Sequence, residues 1–283
     1  MPVWSIASRV SVAVRLLAAV LLLVACAAAP AAAEGDQIFD LGQKASLPND
    51  MTWRDVMHLV FPDLRQEPWK DGRTGDFIHG DVSIRPIDKE AFEDDCPKEP
   101  LRIEYIETAR AEISGKMREI VGITTDGDAC FGVLALFDGG AHTKLLDAVN
   151  IKQDANYGFG NGFARRLGPD GQLVVADSFH TTSSSSPDND VLVLATVDKL
   201  SLIGNVDAQS EVDCDHHRTI AENPYVVVTP DYGAFDRIAG YVKRTVQPVA
   251  DDCRTPTRNP AVTITHTEWR WDAAKKTYRR VSP

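Results

Sequence analysis

Cys130-Phe-Gly-Val-Leu-Ala-Leu-Phe137 decides the fold. The run is almost continuously apolar, the pattern of a β-strand covered on both faces. Asp138-Gly-Gly140 turns the chain into a second run, Leu145–Ile151. Beyond a glycine-rich stretch come Leu173–Phe179, Val191–Val197 and Leu200–Val206, the last two parted only by Asp198-Lys199. Each run is apolar or β-branched and is bounded by Gly, Asp, Asn, Ser or Pro, the punctuation of strands joined by turns. Residues 130–207 therefore read as a meander of strands.

Upstream of this region, Thr52-Trp-Arg-Asp55 has the form of a capping box with Asp in place of Glu. Trp53, Val56, Met57 and Val60 follow at i, i+3, i+4 and i+7, and Pro62 stops the run. That spacing predicts one short amphipathic helix. Phe77–Pro86 and Leu101–Tyr105 suit strands. Ile106–Val121 also fits a helical stripe, but Ser114-Gly115 at its centre favours two strands joined near Ser114–Lys116.

Downstream, Tyr225–Val228, Ile238–Val249, Val262–Trp271 and Thr277–Val281 complete the strands, with a turn at Asp272–Lys276. Val262, Ile264 and His266 share one parity, Trp269 and Trp271 the other, which predicts a bulge near Thr267. The expected fold is mainly β: an antiparallel meander forming a β-sandwich or a partial propeller-like sheet stack, with one short N-terminal helix. No repeat of 40–50 residues imposes a propeller. Trp53, Trp69, Trp269 and Trp271 lie on separate elements and are expected to fill cores rather than form one platform.

The first 33 residues stand apart. Arg9 and Arg15 precede the apolar run Leu16–Ala25, and Pro30-Ala-Ala-Ala33 precedes Glu34. Basic, apolar and small-residue regions in that order predict a secretory signal cut after Ala33. The apolar run is too short for a membrane span. Leu23-Val-Ala-Cys26 offers a rival reading, a lipobox whose Cys26 would carry the lipid. Residues 34–50 read as a flexible leader, and 51–283 as a single β-rich domain.

Cysteine usage fits an oxidising compartment. Without Cys26, the cysteines Cys96, Cys130, Cys214 and Cys253 form an even set. Loop-closure entropy favours Cys96–Cys130 and Cys214–Cys253 among the three possible pairings. Each bridge would contribute roughly 3–4 kcal/mol. The whole chain has 30 basic and 41 acidic side chains. Removing residues 1–33 takes away two arginines and no acid, leaving 28 − 41 = −13. Such a surface repels phosphate backbones and argues against nucleic acid as a partner.

Three stretches could hold chemistry. Lys152–Gly171 carries Gly158, Gly160, Gly162, Gly168 and Gly171, but no helix begins there to cradle a phosphate. Phe159 and Phe163 are expected to tuck beneath this loop. In Phe179–Asp190, His180 lies at a strand end beside Ser183, Asp188 and Asp190. A hydrolase would use His180 as base and a serine of 183–186 as nucleophile, oriented by Asp177 or Asp188. Against that, no Gly-x-Ser-x-Gly elbow is present. In Glu211–His217, an extended backbone would set Asp213, Asp215 and His217 on one face toward a divalent ion.

None of these completes a catalytic constellation. The expectation is an exported, non-catalytic protein of the bacterial envelope, periplasmic or secreted. It would present a loop-built acidic surface to an unknown envelope protein or a small polar ligand, with no cofactor. The alternative is a periplasmic hydrolase or metal-binding protein using His180, or Asp215 and His217.

Overall fold

Two antiparallel meanders contain the strands of the described residues. The first sheet runs in sequence order: β1 (Leu64–Pro68), β2 (Thr74–Ile78), β3 (Leu101–Ile113), β4 (Lys116–Thr125), β5 (Gly132–Asp138) and β6 (Leu145–Asn150). The second sheet contains β7 (Asn156–Gly158), β8 (Ala164–Arg166), β9 (Gln172–Phe179), β10 (Ser185–Ala195) and β11 (Leu200–Asp213). It continues through β12 (His217–Ala221), β13 (Tyr225–Thr229), β14 (Arg237–Pro248), β15 (Ala261–Asp272) and β16 (Thr277–Val281). Its path is β16-β15-β14-β12-β11-β10-β9-β7, with β13 also on β14 and β8 also on β9. This computed structural model describes residues 40–45, 47, 50–69, 72–79, 84–88, 100–126, 132–140, 142–151, 156–159, 164–179, 185–213, 217–222, 224–231, 233–250, 252 and 254–281. The mainly β, antiparallel architecture expected from the sequence is the one observed.

Three apolar layers explain the arrangement. Along β5, Val133, Ala135 and Phe137 enter one core while Leu134 and Leu136 enter another. Both faces of β5 are thus dry, as the unbroken apolar run requires. The first core also takes Trp53, Val56, Met57 and Val60 from helix α1 (Trp53–Val60). Thr52 and Asp55 close the capping box on that helix, which satisfies N-terminal N–H groups. Leu41, Ala45 and Leu47 are buried in the same core, so this part of the expected leader is docked rather than flexible.

The second core lies between β3–β6 and the outer face of β9–β11. β10 repeats the logic of β5: Val191, Val193 and Ala195 face the second core, Leu192 and Leu194 the third. That third core is made by the second sheet curling on itself. Leu173, Leu192, Ile203 and Val206 from one end meet Ile238, Val242, Trp269 and Tyr278 from the other. A register shift at Leu192/Val193, opposite Leu202–Gly204, supplies a bulge at the bend. Gly204 then lets the Trp269 indole approach, since a Cβ there would sit 2.4 Å from its Nε1.

Charged groups fasten the layers. Arg118, nearly buried, donates from Nε to the Val197 carbonyl at 2.6 Å and from Nη1 to Asp138 at 2.9 Å. Arg85 Nη2 donates to Asp147 at 2.6 Å and to the Leu200 carbonyl at 2.7 Å. Asp147 also accepts the Leu200 N–H at 2.8 Å. Both arginines bond from the first-sheet side to the β10–β11 turn.

Several sequence expectations need correction. The strand expected at Phe77–Pro86 is β2, which ends at Ile78, although Pro86 makes an isolated parallel bridge to Asn150. The glycine-rich loop is broken by β7 and β8, both paired to β9. Within it Phe159 is buried, and its ring occupies the place a Cβ on Gly122 would need. No bulge forms near Thr267, because β14 and β15 stay in register from Ile238↔Trp269 to Val246↔Ala261. Trp269 takes the core side, and Val262 and Ile264 are left exposed. Trp53 and Trp269 are core residues, while Trp69 lies under the Arg102 guanidinium at 4.1 Å. All five cysteines, and with them both expected bridges and the Cys26 lipobox, lie outside the described residues.

Candidate functional site

The serine-rich stretch is not all loop. Ser185–Asp190 extends β10, pairing with β11 throughout and with β9 from Asp188 onward. The extension carries Asp188 and Asp190 into a ladder, with Asp190 opposite Asp177 and Asp188 opposite Phe179. Strand alternation puts both aspartates on the side of Leu192 and Leu194, and Asp177 on the side of Leu173 and Val175. Three carboxyl groups therefore meet on one face at the end of the β9–β10 ladder.

Burial sets their chemistry. Asp190 is 5% exposed. Desolvation, then its hydrogen bond to Asp177 and the charges of Asp177 and Asp188, push its pKa to about 8. The Arg165 guanidinium from β8 opposes that rise without cancelling it. Asp188 is raised as well, first by burial and then by Asp177. The low-dielectric end of the ladder tolerates one proton more readily than another negative charge.

A fourth carboxyl comes from the other sheet. Glu107 on β3 has its pKa raised by burial and by Asp177, against the lowering effect of a hydrogen bond with Tyr105. Its Oε2 is buried with no hydrogen-bond partner. The Tyr105 hydroxyl is raised in turn, by burial and by the Glu107 charge. Four acids from three strands are thus coupled, and one acceptor oxygen among them lacks a donor. Among the described residues, no three His, Cys, Asp or Glu groups are arranged to hold a metal ion.

His180, Ser183 and Asp215 lie outside the described residues. His217 is exposed at the start of β12. Asp213 and His217 are directly opposite partners of β11 and β12, which puts both on one face of the sheet. The other described imidazoles are scattered. His79 sits 3.0 Å from Glu67, His266 stacks on Tyr241, and His58 and His142 are exposed.

A separate cleft of about 580 Å³ lies at the opposite ends of these strands, lined by Glu112, Ser114, Gly115, Arg166, Pro169, Asp170 and Gln172. Ser114 and Gly115 adopt φ of 52° and 72°, the left-handed pair of a tight hairpin turn. Ser114 clips that turn to the one between β8 and β9, donating from Oγ to Asp170 Oδ1 at 2.7 Å and from N to the Pro169 carbonyl at 2.9 Å. The cleft is a seam between two hairpins.

Sequence reasoning found Asp188 and Asp190 and had Asp177 in view as an orienting group. It missed Glu107 and Tyr105, since nothing local marks a strand glutamate about seventy residues upstream. The scan against protein-family models returned no match, and neither did the search of curated proteins.

Proposed function

We propose that the chain is an exported, non-catalytic protein of the bacterial envelope that binds a small polar ligand bearing an ammonium or guanidinium group. Export rests on the signal-like first 33 residues. The ligand reading is carried by one observation: the buried Glu107 Oε2 has no hydrogen-bond partner and lies within electrostatic reach of Asp177, in a cluster where burial and neighbouring carboxyls raise Asp190 to about 8 despite Arg165. An amine placed there would donate to Glu107 and favour ionisation of Asp190, so binding would release a proton. Among the described residues no three His, Cys, Asp or Glu groups are arranged to hold a metal ion, and the reading is therefore of an organic cation.

Calorimetric titration of the purified protein with spermidine, arginine and choline tests this reading. At least one should bind, with heat that depends on the buffer's ionisation enthalpy. Glu107→Gln with Asp188→Asn should weaken it about tenfold or more, which is about 1.4 kcal/mol. Binding of none of the three, or binding indifferent to both substitutions, would reject it.

A second reading has a specific observation behind it. An acid held protonated near pH 8 is the kind of group that serves as a general acid, so a periplasmic hydrolase using Asp190 with His180 is the alternative. Turnover of ester or glycoside substrates, abolished by Asp190→Asn, would favour it. The metal-binding form of that alternative, on Asp215 and His217, predicts retention of a stoichiometric metal lost on His217→Ala.

A further inference from the structure

On the sheet surface turned away from the third core, β12–β15 expose an apolar and aromatic face. Tyr225, Tyr241 and His266 occupy matched positions on β13, β14 and β15. Their rings stack in a row, at 5.0 Å and 11° for the first pair and 5.7 Å and 24° for the second. Beside this row the register places Lys243 opposite Ile264, then Ile220 and Val262 on either side of Thr245. Ile264 is 63% exposed, Val262 54% and Tyr225 51%. The alternation Ile238, Gly240, Val242 toward the core fixes Tyr241, Lys243 and Thr245 on the outer side.

The charge of this face runs against that of the chain. By the same alternation it carries Arg218, Arg237, Lys243 and Arg270, with Arg279 on the adjoining β16, against Glu222, Glu268, Asp272 and the Asp231 beside Arg237, 5 − 4 = +1, on a chain of net −11. Lys243 is paired with Glu222 at 2.6 Å, Arg237 and Arg270 share Glu268 at 3.9 and 2.6 Å, and Arg237 also lies 3.7 Å from Asp231. Arg218 and Arg279 are exposed and have no carboxylate partner among the described residues.

We propose that the outer face of β12–β15 docks a protein partner through an acidic contact surface. Apolar patches rimmed by polar groups mark interaction sites, and Tyr and Arg dominate binding hot spots. The ring row is already ordered, so little side-chain entropy is lost on docking. A basic-leaning rim selects an acidic partner. It opposes isologous pairing of two copies, which would set like charges face to face. The outward rings are carried on strands and stacked on one another, not borne on an apolar loop that could enter a bilayer. This proposal does not depend on the ligand reading of the carboxyl cluster, which lies on other strands.

The test is site-specific photocrosslinking of the full chain in its native cells. A photoreactive residue replaces Ile264 or Tyr225, with Glu112 as the control position. Both test positions should give one common adduct, absent from the control, whose crosslinked peptide is rich in Asp and Glu. Arg218→Glu with Arg279→Glu should reduce adduct yield about tenfold without lowering the melting temperature, and Arg218→Lys with Arg279→Lys should preserve it. The proposal is overturned by an adduct of two copies of this chain, by a lipid adduct, by no adduct, or by yield indifferent to charge reversal. Cosedimentation of the purified protein with phosphatidylglycerol vesicles would likewise assign the face to a membrane surface and overturn it.

Discussion

Asp190 and Asp177 face each other across the β9–β10 ladder, and their carboxyl groups are joined by a hydrogen bond. The register forces them together, and with both ionised, desolvation and repulsion would oppose the pairing.

The first prediction concerns pH. Asp190 titrates near 8 when folded and near 3.8 when unfolded, so the folded state binds more protons between those values. Its contribution is fully present below about pH 4, declines as pH rises, and is lost above about 8. The melting temperature should fall by roughly 5–10 °C between pH 5 and pH 9, equivalent to a few kcal/mol for a domain of this size. Asp190→Asn should remove most of that fall and raise stability at pH 9. Thermal scans of both proteins at five pH values check it; parallel profiles would contradict the shared-proton account.

A second prediction tests the curl of the second sheet. Gly204→Ala places a methyl where the Trp269 indole lies, with contacts of 2.4 and 2.9 Å to Nε1 and Cε2. Overpacking of a closed core should cost roughly 1–3 kcal/mol. Urea denaturation should show a lower midpoint together with altered tryptophan emission.

Arg118 supports a third. Replacing it with Met keeps the aliphatic stem but leaves the Val197 carbonyl and Asp138 without this cation. The loss should be roughly 2–4 kcal/mol, more than a surface pair would give, because the guanidinium is 5% exposed. Denaturant titration measures the cost, and hydrogen exchange should show faster opening at Thr196–Leu200.

The fourth is local. Thr52→Ala breaks the capping box of helix α1, removing the bonds from Asp55 N–H to the hydroxyl at 3.3 Å and from the hydroxyl to Asp55 Oδ2 at 2.7 Å. About 0.5–2 kcal/mol should be lost. Thr52→Ser should restore most of it, as read by thermal denaturation.

Local pattern alone determined a great deal of this molecule. Cys130–Phe137 announced a strand dry on both sides, Thr52–Asp55 announced a capped helix, and Ser114-Gly115 announced a hairpin turn. Each is a relationship among residues a few positions apart, where backbone geometry fixes which side chains meet. The tertiary structure alone decided that Glu107 comes within electrostatic reach of Asp177, that Gly204 admits Trp269, and that Val262 and Ile264 face outward instead of being rescued by a bulge. Those outcomes depend on how far the second sheet curls and which face of each strand it closes over, quantities set by the summed packing of strands distant in sequence. A run of alternating residues states that one face is to be buried; only the finished sheet stack chooses which.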